Sequence, residues 1–172
     1  MTYISHYHSP LGNILLTADD SGLCGVWFER QKYFAAGLDP KDMIEVTEVF
    51  GEKELPVFLQ TKRWLDLYFA GKKPDFSVSL HFTGTQFQKE VWKLLLDIPY
   101  GATTTYGEIA KILADKRGSA HMSAQAVGGA VGHNKISILV PCHRVLGSDG
   151  KLTGYAGGLD KKKWLLELEG VL

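Results

Sequence analysis

The apolar residues of this 172-residue chain follow two spacings, strand-like runs before Thr85 and helical periodicity with Gly-rich turns after it, and one continuous sheet or bundle accommodates only one of these. Charge divides at the same place. Residues 1–85 hold 8 Lys+Arg against 11 Asp+Glu and residues 86–172 hold 11 against 8, so the halves carry about −3 and +3 while the chain sums to zero. Two subdomains are predicted, residues 1–84 and 85–172, joined near residues 82–85. A net charge of zero argues against a polybasic nucleic-acid coat, so any nucleic-acid surface must be local.

In the first half, residues 14–18 and 23–28 flank Asp19-Asp20-Ser21-Gly22, a polar link with Gly that suits a β-hairpin. Further on, Leu55, Phe58, Leu59, Trp64, Leu65, Leu67, Tyr68 and Phe69 recur at helical spacing before a stop at residues 70–74, which predicts one helix covering the sheet. Nothing in this half carries obvious chemistry, and it is assigned a supporting role.

The second half opens with Thr85 as a helix cap, the apolar face being Phe87, Val91, Leu94 and Leu95, and Pro99 and Gly101 end that helix. Thr104 or Thr105 then precedes a helix with Ile109, Ile112 and Leu113 on one face, and after a polar loop Ser123 opens another through Val131. The pattern is compatible with a helix-turn-helix, although the loop over residues 114–122 exceeds the usual tight turn. The last helix has almost no side-chain bulk: Ala124, Ala126, Gly128, Gly129, Ala130 and Gly132. Each interior glycine costs roughly 1 kcal/mol relative to Ala, which implies either close packing in the core or close approach to a bulky partner such as a DNA groove.

Residues 136–140 read as a buried strand ending at Pro141, and Cys142-His143-Arg144 follow directly. A thiol is nucleophilic only as thiolate, and a cation, a helix N-terminus or a paired base must lower its pKa; His143 and Arg144 are candidate agents. Neighbouring side chains on a strand point to opposite faces, so either the chain turns at Cys142 or water relays the proton. Taken alone, the pair also fits a buried small hydrophobe next to a hydrogen-bonded turn histidine.

Residues 138–145, Ile-Leu-Val-Pro-Cys-His-Arg-Val, resemble the active-site signature of the O6-alkylguanine-DNA alkyltransferases, also called methylated-DNA-protein-cysteine methyltransferases. The resemblance extends to residues 126–130 and Asn134 (recognition helix and asparagine hinge), residues 154–158 (substrate loop), and residues 163–166 with Glu169-Gly170 (C-terminal helix), covering about residues 85–170; residues 9–12 are a weaker echo. It implies an α/β fold with a small ribonuclease-H-like N-terminal subdomain carrying an antiparallel sheet, and a mostly helical winged helix-turn-helix domain. It further implies repair of O6-alkylguanine in double-stranded DNA, with O4-alkylthymine as a second candidate, by irreversible single-turnover transfer of the alkyl group to Cys142.

In that family picture His143 deprotonates the thiol through a water, Glu169 orients His143, and Asn134 braces the turn before the acceptor. Tyr106 lies beside the flipped nucleotide, helping to rotate its phosphate and donating a proton to the departing guanine. Val145, Tyr155, Ala156 and Gly157 line the base pocket. Gln125, Ala126, Gly128, Gly129, Tyr106 and Arg144 face the DNA minor groove. Two positions depart from the family pattern: Gln125 stands where many members carry an intercalating arginine, and Lys135 where proline often follows the asparagine.

No cofactor is expected, and His6, His8, Cys24 and His81 form no recognised zinc spacing. The longest apolar stretches fall far short of the roughly 20 residues of a bilayer span, and the N-terminus lacks a secretory signal. With only two cysteines, a reducing compartment, the cytoplasm, is expected, and the chain is expected to be a monomer. Cys24 is read as a core residue, and Lys161 to Lys163 as a solvated helix start. Competing readings are a non-catalytic winged-helix protein that binds DNA or lesions, and a thiol hydrolase using Cys142 and His143.

Overall fold

The computed structural model describes residues 1–46 and 54–172, which form two compact units, Met1–Thr83 and Gly84–Leu172. In the first unit, β1 (Thr2–Ser9), β2 (Gly12–Asp19) and β3 (Gly22–Phe28) make an antiparallel meander, and β4 (Met43–Glu45) adds parallel to β1, giving the order β3-β2-β1-β4. The hairpin expected at residues 19–22 joins β2 to β3, with Asp19 opposite Gly22. The antiparallel sheet is as expected, and β4 adds one short parallel pairing to it. The reason is connection length: residues 29–42 carry the chain back across the sheet, which a parallel partner requires and a tight turn cannot supply. Residues 14–18 and all of β3 are buried, so β2 and β3 read as continuous apolar runs.

Helix α1 (Pro56–Phe69) starts with proline at its first position and buries Phe58, Thr61, Leu65 and Tyr68 along one stripe; Leu59, expected among them, is exposed. Cys24 is buried, 3.5 Å from the Thr17 hydroxyl.

The second unit contains α2 (Gln86–Leu95), α3 (Tyr106–Lys116), α4 (Ala124–Gly132), α5 (Leu159–Leu168) and a short parallel pair, β5 (Thr104–Thr105) with β6 (Val145–Leu146). Its helix starts are written locally. Thr85 and Gln88 form a reciprocal capping box on α2, Thr105 and Glu108 form another on α3, and the Ser123 hydroxyl accepts the Ala126 N–H on α4. The indole N–H of fully buried Trp92 donates to Ala130 O at 2.9 Å, tying α2 to α4 beneath the face that α4 leaves to solvent.

Candidate functional site

Residues 136–140 are buried as expected, but they are not a strand: the chain crosses the interior in tight turns. Leu139 N donates to Ser137 O at 2.8 Å across Ile138, whose φ of 70° lies in the left-handed region that branched residues avoid. Cys142 N donates to Val140 O at 2.8 Å across Pro141 in a second three-residue turn. Asn134 supplies the hydrogen bonds a neighbouring strand would have made. Its amide donates to Val140 O at 2.8 Å and Ile136 O at 3.3 Å, and its carbonyl accepts Ile136 N–H at 3.0 Å. The apolar run thus reports burial, and the side chain of Asn134 decides the path.

Cys142–Arg144 is a single 3-10 turn, so the chain does turn at Cys142, which is compatible with a water relay as well. All three side chains are buried. His143 Nε2 lies 2.5 Å from Glu169 Oε2, and Glu169 Oε1 accepts Arg144 Nε at 2.8 Å and Gly101 N–H at 3.0 Å. Burial by itself would raise the Glu169 pKa; the bonds from His143, Arg144 and Gly101 overcome that and hold it at about 2. Burial pushes the His143 pKa down, Glu169 pushes it up, and the charges of Arg144 and Lys162 push it down again. Burial also raises the Cys142 thiol, against a hydrogen bond from Asn134 and the charge of Lys162, both of which favour thiolate. The arrangement is a sheltered thiol, a largely neutral imidazole and a firmly ionised carboxylate.

Arg144, expected on DNA, is instead 8% exposed, its Nη1 donating to Ile98 O at 2.7 Å and its Nε to Glu169. A guanidinium held this way by buried acceptors has an internal role.

Lys162, expected in a solvated run, is fully buried near Cys142, its ammonium donating to Val145 O (2.5 Å), Thr153 O (2.9 Å) and Gly154 O (3.1 Å). Burial lowers its pKa to about 8, while nearby Cys142 raises it. The sequence carried a signal for it: positions 162, 165, 166 and 169 form the i, i+3, i+4, i+7 stripe that α5 buries. The Gly101 N–H and the Ile98 carbonyl, being backbone groups, carried none.

Val145 is buried and its carbonyl is one of the three acceptors of Lys162. Tyr155, Ala156 and Gly157 follow in a half-buried turn closed by Gly158 N–H to Tyr155 O. The Tyr155 hydroxyl is out of solvent, close to Ser137 and Cys142, and burial raises its pKa well above the usual value. Tyr106, at the start of α3, donates its hydroxyl to Thr153 O at 3.1 Å; burial raises its pKa, so the phenol keeps its proton.

Gln125, Ala126 and Gly129 lie on the exposed side of α4, and Gly128 is half-buried. A methyl group added at Gly129 would meet nothing within 4 Å, and one at Gly128 would make ordinary contact with the Tyr106 ring at 3.8 Å. Packing within the protein therefore does not demand a glycine at either position.

Residues 86–171 match the family model described as 6-O-methylguanine DNA methyltransferase, DNA binding domain, and residues 2–82 match 6-O-methylguanine DNA methyltransferase, ribonuclease-like domain. A methylated-DNA–protein-cysteine methyltransferase of Methanosarcina acetivorans is 47% identical over 168 residues, covering 98% of each chain. One of Mycobacterium tuberculosis is 44% identical over 167 residues, 95% of this chain and 92% of that one. Among solved structures, Mycobacterium tuberculosis OGT in complex with DNA is similar with a TM-score of 0.79 at 41% identity, covering 97% of this chain and 92% of that one.

Proposed function

The chain belongs to the 6-O-methylguanine DNA methyltransferase family, and on that premise we propose how its residues repair DNA by moving an alkyl group from O6 of guanine onto Cys142. The observation that carries this assignment is the buried pairing of His143 with Glu169 beside the thiol that the Asn134-braced turn presents. A neutral imidazole held by an ionised carboxylate is a base with a fixed orientation.

The lesion lies inside the duplex, so the nucleotide must first leave the stack, at a cost of a few kcal/mol. The bare face of α4, with Gly129 and Ala126, slides into the minor groove, and Gln125 fills the vacated base position. The flipped guanine enters the pocket of Val145, Tyr155, Ala156 and Gly157. His143 takes the thiol proton through a water, and Sγ attacks the alkyl carbon in line with the C–O6 bond. The S–C bond forms as C–O6 breaks, the electron pair stays on the guanine, and Tyr106 gives that base a proton. Imidazolium and phenolate then re-equilibrate through solvent, so the thiol proton ends on guanine. The thioether has no leaving group the site can expel, which makes each protein good for one transfer.

This chemistry draws on side chains alone and calls for no cofactor. Minor-groove docking, with its degenerate readout, suits repair in any sequence context. One chain supplies every group named, which supports action as a monomer, and a chain with only two cysteines suits the reducing cytoplasm. No described helix is long and apolar enough to cross a membrane.

Intact-protein and peptide mass spectrometry after incubation with a duplex containing O6-methylguanine tests this. One methylene gained per protein on the Cys142 peptide is expected, and none in Cys142→Ser, which still binds the lesion. Multiple turnover, or acceptance by Cys142→Ser, would overturn it.

A further inference from the structure

Arg144 takes no part in the transfer described above, yet its guanidinium is turned inward onto the relay. Residues 98–101 meet it from behind: Ile98 O accepts Nη1 at 2.7 Å, the Tyr100 ring lies with its centroid 5.8 Å from the guanidinium carbon, and the neighbouring Gly101 N–H donates to the same oxygen of Glu169 that Arg144 holds. Glu169 Oε1 therefore has two fixed donors, and Oε2 is left to His143.

We propose that Arg144, seated on Ile98 and Tyr100, is a positioning residue of the base relay: it pins one oxygen of Glu169 so that the other stays on His143 and the imidazole stays free to accept the thiol proton. The proposal rests on Cys142 being the alkyl acceptor.

The electrostatics of the pocket supply the reason. Glu169 and Lys162 face His143 from α5, Arg144 and Cys142 flank it on its own turn, Tyr155 stands near Cys142 and Glu169, and Tyr100 stands near Glu169 and Arg144. A buried carboxylate 2.5 Å away would by itself favour imidazolium, and an imidazolium cannot accept a proton. Sharing that carboxylate with a permanently charged guanidinium withdraws part of the stabilisation and leaves His143 able to act as a base. Tyr100 gives the guanidinium a face to rest on, which turns it toward Glu169 and away from solvent.

Removing the guanidinium raises the His143 pKa, so the acid limb of the thiol's reactivity moves to higher pH. The test measures iodoacetamide modification of Cys142 against pH in DNA-free protein, followed on the Cys142 peptide so that Cys24 does not contribute. Arg144→Gln is expected to move the limb up by about one pH unit, making modification below it about tenfold slower. Tyr100→Leu moves it the same way by less, and Arg144→Lys, which restores charge without the fork, recovers part of the shift. Duplex affinity, measured in a Cys142→Ser background, stays within about twofold of the parent if the guanidinium makes no phosphate contact.

An unmoved limb, a limb moved to lower pH, or weakened duplex binding as the sole effect would each overturn the proposal, the last by returning Arg144 to the DNA surface. If Arg144→Gln fails to fold by circular dichroism, Tyr100→Leu decides the question alone. Wild-type protein that shows the limb but takes no methyl from DNA would refute the acceptor assignment and leave the relay intact.

Discussion

Replacing Glu169 with glutamine keeps the shape of the side chain and removes its charge, and the structure fixes what that should cost. The folded protein holds this carboxyl at about 2, against 4.5 for an unperturbed glutamate. That difference corresponds to about 3 kcal/mol of preferential stabilisation of the ionised form. The group is depressed on folding, so its contribution is fully present above the unfolded pKa and is lost as pH falls through about 2. The side chain is wholly shielded from solvent and bridges the Arg144 guanidinium and the His143 imidazole, which places the loss on breaking it within the roughly 3–5 kcal/mol typical of a buried ion pair. Urea unfolding of wild type and Glu169→Gln, compared at about pH 6 and again near pH 2, isolates this group from the other carboxylates, because those titrate alike in both proteins. The stability gap should be about 3 kcal/mol or more at the higher pH and should shrink by most of that at the lower. A gap below about 1 kcal/mol at pH 6, or one that does not change with pH, would refute the claim that Glu169 is held ionised by its partners.

The same coordinates lead to other expectations. Gly129→Ala should raise the urea midpoint, gaining about 1 kcal/mol because the helix loses a flexible residue and the methyl group meets nothing. Gly129→Leu should stay folded and weaken duplex binding at least about tenfold in a fluorescence titration, since bulk on this face blocks the groove; unchanged binding would remove α4 from the interface. Lys162→Met should speed amide exchange over residues 147–158, whose carbonyl anchors at Thr153 and Gly154 it loses, and raise the thiol pKa. The folded state holds Lys162 at about 8 and the unfolded chain near 10.4, so wild-type stability should rise between those values, by at most about 3 kcal/mol, and the methionine variant should show no such rise. Gln125→Arg should tighten duplex binding if residue 125 is the wedge, because it adds charge at the groove; equal affinity would argue against that placement.

Local rules account for what the sequence alone determined. Caps at Thr85, at Thr104 or Thr105, and at Ser123, the turn at residues 19–22 and the stop after Phe69 act within four or five residues, so they are legible before any tertiary contact exists. The motif around Cys142, with Asn134 before it and Glu169 after it, marks the candidate site for the same reason: residue type and order carry it. Decisions that depend on which group a side chain or helix face meets in the folded chain were left to the tertiary structure. The apolar run at residues 136–140 signals burial equally well as strand or turns, and only the Asn134 amide meeting Val140 O selects turns. Among Lys161 to Lys163, identical in chemistry, the phase of α5 against the pocket buries the middle one. Arg144 is a cation whose destination in sequence is open; the carboxylate 25 positions away and the carbonyl 46 positions away draw it inward. Hydrogen-bond acceptors on the backbone have no identity in the sequence, so the groups they capture become visible only once the chain has folded around them.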